Sequence, residues 1–181
     1  RFVSARAAAV VPEAVGALLC RLRALDIATS TVTHPAVYTV EQAKAQRVRQ
    51  DGTHIKNLFL RNKKGAMWLV VLQEDRVVDL KDLGRRLHAG NVSFGSPERL
   101  RRYLGVEPGS VTPLAAINDR ELAVQVVLDA RILQSDPVHC HPLVNTMTTA
   151  IGEEYHHVGV TLIARITEYF KRNTFVGRLR I

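Results

Sequence analysis

The segment from Thr53 to Leu60 constrains the fold more than any other part of the chain. It has the pattern of a β-strand bounded by two turn sequences, Asp51-Gly52 before it and Asn62 to Gly65 after it. Successive side chains in a strand point to opposite faces, and both alternating sets become apolar over residues 58–60. That pattern is typical of a strand covered on both sides, so the chain has to supply a packing layer for each face of its sheet.

Lys56 lies in this strand at the point where the apolar covering begins. A lysine in that position must keep its ammonium group in a wet pocket, pair it, or lose its proton. Spacing alone favours a side chain that reaches past its neighbours to the surface. The alternative is a side chain that points into a substrate pocket, and periodicity does not decide between the two.

The rest of the chain predicts short helices and short strands in no regular alternation. Capping residues and helical spacing predict helices at Pro12–Leu25, Thr39–Arg49, Asp79–Leu87, Ser96–Gly105 and Thr161–Arg172. Apolar and β-branched runs predict strands at Ile27–Thr33, Ala66–Leu72, Val77-Val78, Val92–Phe94, Val111–Ile117, Leu122–Leu128, Val138–His141 and Asn145–Ala150. A hairpin is expected around Asn118-Asp119. This order favours an α+β fold over a doubly wound sheet.

Composition bounds the class of protein. A chain of 181 residues with 46% hydrophobic content suits one globular domain over residues 1–181, with residues 1–11 as a flexible N-terminal extension. Two cysteines are too few for a disulfide framework, so a cytoplasmic location is the default expectation. No apolar run approaches the ~20 residues of a membrane span, and no membrane partner is expected.

The charge indicates a polyanion partner without proving one. The formal net charge is +8, from 25 basic and 17 acidic residues. A basic protein of this size favours nucleic acid as a partner. Excess arginine can also serve only to keep a surface soluble, and charge alone leaves these two interpretations about even.

The sequence His139-Cys140-His141 resembles a metal site at first sight. In a strand, however, the two histidines would share a face and the cysteine would point away, and no second paired spacing is nearby. We therefore expect no metal and no cofactor. There is also no Gly-x-Ser-x-Gly elbow, no Walker loop and no GxGxxG, so nothing indicates a serine nucleophile, nucleotide hydrolysis or dinucleotide redox chemistry.

Residues 54–64, His-Ile-Lys-Asn-Leu-Phe-Leu-Arg-Asn-Lys-Lys, resemble the signature strand of the YbaK/ProX family of aminoacyl-tRNA editing domains. Three further segments fit at the family's spacing: Val92 to Glu98, Gly109 to Pro113, and His141 to Thr146. The likeness runs from about Leu18 to Ile151, and the four motifs together are specific. It is closest to the single-domain ProXp deacylases that act on alanine. The segment after Ile151 departs from the family's usual final helix.

The resemblance implies a mixed, strongly bent, barrel-like sheet flanked by helices. It also implies a trans-acting deacylase of mischarged tRNA(Pro), with prolyl-tRNA synthetase as a further partner. Lys56 would be the catalytic residue, as a nucleotide anchor or a stabiliser of negative charge. The pocket would be lined by Asn57, His141 and the loop of Gly109, Ser110, Val111, Thr112 and Pro113. Contacts to tRNA are expected from Arg61, Lys63, Lys64, Arg99, Arg101 and Arg102.

Size limits the amino acid that such a deacylase would clear, and the resemblance selects among the candidates. A synthetase pocket cannot strongly reject an amino acid smaller than its own, so a second and smaller site has to clear the error. For a proline system alanine and cysteine are both smaller competitors, and the resemblance to the ProXp proteins over the Lys56 strand and the His141 segment makes alanine our first expectation. Cysteine, as in the YbaK branch, is an alternative. A module that binds tRNA or a synthetase without catalysis is another, although such a binder would not need both Lys56 and the 109–113 loop.

Overall fold

The computed structural model describes residues 11–37, 39, 41–42, 52–132 and 137–152. The body of the predicted Thr39–Arg49 helix lies outside the described residues, as do the Thr161–Arg172 helix and all but the last residue of the N-terminal extension. The start of the predicted Thr39–Arg49 helix is described. There the amide of Gln42 donates to the Thr39 hydroxyl at 3.1 Å, as the predicted cap requires. No helix among the described residues is long and apolar enough to cross a membrane.

The described helices and strands form an α+β domain. The helices are α1 (Glu13–Ala24), α2 (Leu80–Arg86), α3 (Pro97–Leu104) and a 3₁₀ helix (Pro113–Asn118). The strands are β1 (Thr29–Thr33), β2 (Thr53–Asn62), β3 (Met67–Gln73), β4 (Val92–Phe94), β5 (Val124–Leu128), β6 (Val138–Cys140) and β7 (Met147–Ile151).

The strands form one mixed sheet. Its order is β1-β7-β6-β2-β3-β5, and β4 pairs separately with β2. The β2–β6 and β3–β5 pairs are parallel and the other pairs are antiparallel. The mixed sheet flanked by helices is as the resemblance implied. Among the described strands the sheet ends at β1 and β5, so it is open and does not close into a barrel.

The β2–β3 hairpin is covered on both faces, which confirms the prediction made from its sequence. On one face Leu60 and Val70 pack with Leu83 of α2. On the other face Phe59 and Leu69 join a cluster with α3 and the 3₁₀ helix. A third apolar cluster, between α1 and the β6–β7 pair, contains Leu18, Leu22, Ile27, Leu114, Cys140 and Ile151.

Helix ends follow the local sequence. Asp79 caps α2 by accepting from the Lys81 amide at 2.7 Å, as predicted. Ser96 accepts from the Arg99 amide at 3.4 Å at the start of α3, where Pro97 occupies the first turn. Gly105 ends α3 with a φ of 63°, a left-handed conformation that glycine adopts readily.

The predicted hairpin around Asn118-Asp119 is wrong. Residues 113–118 form the 3₁₀ helix, because Thr112 accepts from the Leu114 amide and Pro113 lacks the N–H that a strand ladder needs. Asp119 then accepts from the amides of Ala123 and Val124, which turns the chain into β5. That strand pairs in parallel with β3.

The predicted strand at Val77-Val78 is also wrong. The chain turns at Glu74 and Asp75 and then runs without regular structure to the cap of α2. Val77 is 91% exposed, so it has no neighbouring strand to pack against. Two β-branched residues next to each other were too short a signal to predict pairing.

Candidate functional site

One edge of β2 is open in its middle. On that edge β6 pairs with Thr53 and His54, whereas β4 pairs with residues 60–62. The amide of Gly95 extends the β4 side by one bond, to the Phe59 carbonyl at 2.9 Å. Within the described part of the chain, residues 55–58 have no strand on this edge. The sheet therefore splits at the segment that carries Lys56 and Asn57.

The loop at residues 109–113 contacts this segment on one face of the sheet. The side-chain amide of Asn57 donates to the Val111 carbonyl at 2.9 Å. The structure thus brings together Asn57 and the loop that the sequence analysis assigned to the same pocket. Gly109 has a φ of 88°, a left-handed conformation that side chains with a Cβ rarely adopt. Ser110, Thr112 and Pro113 are buried, and they anchor the loop.

The orientation of the Asn57 amide is fixed by its partner. A carbonyl only accepts, so the nitrogen must face Val111 and the oxygen must face away. That oxygen, Oδ1, is buried and has no hydrogen-bond partner among the described residues. An unsatisfied buried acceptor is costly, so it is a position where a donor group of a ligand would be stabilised.

Lys56 lies on the opposite face of β2 from Asn57. Its ammonium donates to the carbonyl of Arg76, so the side chain is held in the half-buried region and does not simply extend into solvent. The guanidinium of Arg76 lies 3.5 Å from the carboxylate of Asp129, with side-chain exposures of 13% and 1%. Asp129 also accepts from the amide of Arg131 at 3.1 Å. This buried ion pair fixes the segment whose carbonyl holds Lys56.

His141 follows directly after β6, and its ring nitrogen Nδ1 lies 2.8 Å from the Met147 carbonyl. Because that carbonyl can only accept, Nδ1 carries the hydrogen and Nε2 of the neutral ring is an acceptor. The ring centroid lies 6.1 Å from that of His34. His34 in turn contacts the Pro35 carbonyl and the Thr148 hydroxyl, each at 2.8 Å. The described contacts therefore anchor His141 to β7 and to the loop after β1.

The His139-Cys140 pair has a structural role. The ring of His139 stacks on that of His54, with centroids 4.4 Å apart, and only 5% of the residue is exposed. Cys140 points the other way, into the apolar cluster under α1, as its place in the strand predicted. Burial raises the pKa of its thiol to about 12, against an opposing hydrogen bond with Thr112. A thiol in that environment stays protonated and inert.

Comparison with known proteins decides the family. A family model described as the aminoacyl-tRNA editing domain matches residues 34–155, about two thirds of the chain. The chain belongs to the aminoacyl-tRNA editing domain family. It is 39% identical to prolyl-tRNA synthetase associated domain-containing protein 1 of Danio rerio, over 78% of this chain and 82% of the relative. It is 34% identical to the prolyl-tRNA editing protein ProX of Acetoanaerobium sticklandii, over 78% and 87%.

A solved structure shows the same fold. The crystal structure of a proposed trans-editing enzyme for prolyl-tRNA synthetase superposes with a TM-score of 0.63, at 18% identity, and covers 93% of this chain and 98% of its own. At that level of identity the similarity concerns the fold. It confirms the α+β architecture expected for an editing domain.

The six basic residues that the sequence assigned to tRNA lie on two parts of the editing domain. Lys63 and Lys64 are exposed at the β2–β3 turn, and Arg61 is half-buried next to them. Arg99, Arg101 and Arg102 are exposed on α3. They are not equivalent, because Arg101 bonds to Glu107 at 2.7 Å and thereby lowers the pKa of that carboxyl group. The guanidinium of Arg102 lies 5.1 Å from the ring centre of Tyr103.

Sequence reasoning missed the Arg76–Asp129 pair. The two residues are 53 positions apart, and neither belongs to a recognisable motif. The available signal was an acidic residue at the end of the apolar run that forms β5. An aspartate there must either leave the core or find a cation, but the sequence does not identify the cation.

Proposed function

We propose that this editing domain is a trans-acting aminoacyl-tRNA deacylase that hydrolyses mischarged tRNA(Pro), with Ala-tRNA(Pro) as its main substrate. The observation that carries the proposal is the contact between Asn57 and the Val111 carbonyl at the open edge of β2. It joins the 109–113 loop to the unpaired segment of β2, in a chain whose relatives include a prolyl-tRNA editing protein. The net charge of +8 suits a nucleic-acid substrate.

The chemistry needs little more than positioning. An aminoacyl ester is an activated carbonyl, so holding a nucleophile in place supplies much of the rate. In hydrolysis the oxygen of water attacks the ester carbon, the bond to the ribose oxygen breaks, and that oxygen takes up a proton. A carbonyl of the 109–113 loop would orient the water or a ribose hydroxyl, because Gly109 lets the backbone approach closely. No side-chain nucleophile is required.

Each polar group of the candidate site has a distinct part in this proposal. The amide oxygen of Asn57 would accept from a donor on the aminoacyl end, since it is buried and has no described partner. Lys56 would hold the terminal nucleotide or stabilise developing negative charge from the other face of β2. His141, with its acceptor at Nε2, would orient a hydroxyl group of the substrate.

Selectivity would follow from size. A site that fits an alanyl group excludes the larger prolyl ring by steric clash, so correctly charged tRNA survives. Cysteine is the second candidate substrate. A non-catalytic module that binds tRNA or prolyl-tRNA synthetase is the candidate from a different class. Such a module would bind all esters of tRNA(Pro) and hydrolyse none.

The test is to incubate the protein with tRNA(Pro) charged with alanine, cysteine, serine or proline and to follow the loss of each ester. A deacylase for alanine removes the alanyl ester fastest. Faster loss of the cysteinyl ester would move the assignment to the cysteine-clearing branch. Tight binding with no loss of any ester would support the non-catalytic module.

A further inference from the structure

Phe94 has an unusual environment for an aromatic residue. It is 61% exposed, and it is the one aromatic among the large hydrophobic residues that the described part of the chain exposes. It belongs to the Val92 to Glu98 motif, and neither the fold nor the proposed reaction assigns a function to its ring. Isolated exposed valines and leucines are common, but a mostly exposed ring on a strand needs an explanation.

The pairing of β4 defines where the ring lies. Phe94 is opposite Leu60 in the antiparallel register, and opposite residues in a sheet share a face. Lys56, two positions before Leu58 on the same strand, is on that face as well. Val92 on the same face is partly buried in the apolar cluster that includes α2. On this face of β4, therefore, Val92 packs in the cluster that includes α2, whereas Phe94 lies outside it and is exposed.

The backbone next to the ring is held firmly. The Gly95 amide donates to the Phe59 carbonyl at 2.9 Å, which continues the β4–β2 ladder past Phe94. A Cβ at position 95 would lie 2.5 Å from the buried ring of Phe59. Glycine is required there, so Phe94 is fixed on a strand with no bulky neighbour on its C-terminal side.

Cations lie beyond both ends of the β2–β4 pairing that carries the ring, together with one exposed carboxylate, that of Glu98 in the first turn of α3. Lys56 is four strand positions away, or about 13 Å at ~3.3 Å per residue. Arg99 is in the first turns of α3, which begins three residues after Phe94, and it is exposed. The exposed Lys63 and Lys64 lie just beyond the other end of the β2–β4 pairing. An exposed ring between cations fits a single-stranded nucleic acid better than an apolar peptide, since bases stack on aromatic faces while phosphates bind the cations.

We infer that Phe94 is a stacking platform for an unpaired base at the 3′ end of tRNA. The inference rests on the proposed function for the identity of the nucleic acid. Phe94 lies on the Lys56 face of β2, opposite a position three residues from Asn57, or about 10 Å along the strand, a distance that one or a few extended nucleotides span. Asn57 points to the other face, so the nucleic-acid strand would have to cross the open edge of β2 at residues 55–58 to reach it. Stacking on Phe94 would hold the strand while its aminoacyl end reaches Asn57 and the 109–113 loop. Such stacking tolerates any base, because every base has a π-face.

The test measures binding of 5′-labelled, uncharged tRNA(Pro) and of the same tRNA lacking its unpaired 3′ nucleotides. Phe94→Ala and Phe94→Leu should weaken binding of the full-length tRNA by about 5- to 150-fold, the range found when a stacking aromatic is removed. Phe94→Trp should bind as the wild type does. The shortened tRNA should bind all four proteins equally. Leu122→Ala, which truncates another exposed hydrophobic residue, is the matched control and should change neither affinity.

The leucine variant separates stacking from a merely apolar contact, because it keeps the bulk and loses the π-face. Binding of full-length tRNA within twofold of the wild type by Phe94→Leu would overturn the inference, whether or not Phe94→Ala loses affinity. So would an equal loss for the shortened tRNA, because the ring would then not act on the 3′ end. Ester hydrolysis by the wild-type protein is measured separately. If the protein hydrolyses esters but binding does not depend on Phe94, the inference fails and the proposed function stands. If binding depends on Phe94 but no ester is hydrolysed, the inference stands and the proposed function fails.

Discussion

Lys56 and Asn57 are neighbours in the chain, but β2 points their side chains to opposite faces of the sheet. Asn57 meets the 109–113 loop, and Lys56 meets the carbonyl of Arg76. Because β6 and β4 leave the edge of β2 open at this point, both faces of the strand adjoin the same gap. In the proposed reaction these two consecutive residues would act on the substrate from two sides of the strand.

Replacing Lys56 with alanine should lower the rate of deacylation by about tenfold or more, because it removes a charge that would hold the terminal nucleotide or stabilise the transition state. The side chain is only half-buried, so truncation should leave the melting temperature close to that of the wild type. Lys81→Ala, which removes an exposed lysine at the start of α2, is the control for loss of charge alone. Full activity of Lys56→Ala at an unchanged melting temperature would show that Lys56 only binds Arg76.

The two cysteines should differ sharply in reactivity. Cys20 is exposed and Cys140 is buried with its pKa raised to about 12, so a disulfide reagent at pH 8 should label one thiol in the folded protein and two after unfolding. The raised pKa means that the stability gained from the protonated thiol is present below pH 9 and is lost as the pH rises from 9 toward 12. Cys140→Ala should remove that alkaline sensitivity and keep substantial deacylase activity. Rapid labelling of both thiols in the folded protein would contradict the burial.

At the scale of elements, the loop of residues 109–113 and the split edge of β2 make up the candidate site. The sequence predicted β2, its two-sided cover and the loop's place in the chain, because these depend on local alternation and on a Pro-Gly turn. It did not predict that residues 113–118 form a 3₁₀ helix in place of the expected strand pair. That outcome depends on Thr112 and Asp119 accepting backbone hydrogen bonds, and β propensity does not report such bonds.

Gly109→Val should reduce deacylation much more than it reduces stability. The φ of 88° at Gly109 is strained for valine by ~1–3 kcal/mol, and relief of that strain would move the Val111 carbonyl away from Asn57. Gly90→Val is a matched control, since Gly90 also has a positive φ, of 70°, and has open space around it. Both variants should lose similar stability in a denaturant titration, but only Gly109→Val should lose activity. Equal activity in the two variants would show that the 109–113 loop takes no part in deacylation.

At the scale of the whole molecule, the sequence predicts the net charge but neither the distribution of that charge nor the order of the strands. The net charge of +8 could be read from the sequence, whereas the distribution of that charge could not. Arg101 is neutralised by Glu107, and Arg76 is used inside the domain to balance Asp129. The split between β4 and β6 is likewise a property of the sheet as a whole. It arises from long-range pairings with β2, which no local pattern encodes.

Binding of tRNA should weaken steeply with salt, because each phosphate contact releases counterions. With about five contacts, affinity should fall by roughly two to three orders of magnitude between about 50 and 200 mM salt. Arg99→Gln should lower the slope of this dependence by about one. Arg101→Gln should lower it less, since Glu107 already pairs with that arginine. If the affinity for tRNA did not change with salt concentration, neither the β2–β3 turn nor α3 would contact the tRNA phosphates.

The most direct test of the proposed function is the single-turnover rate of ester loss from Ala-tRNA(Pro) and Pro-tRNA(Pro), measured side by side with the same protein. The size argument predicts that the alanyl ester is hydrolysed quickly while the prolyl ester is lost no faster than in buffer. The rate on the alanyl ester should persist after treatment with a chelator, since the spacing of His139, Cys140 and His141 does not suit a closed zinc site. Equal loss of both esters, or of neither, would contradict the account.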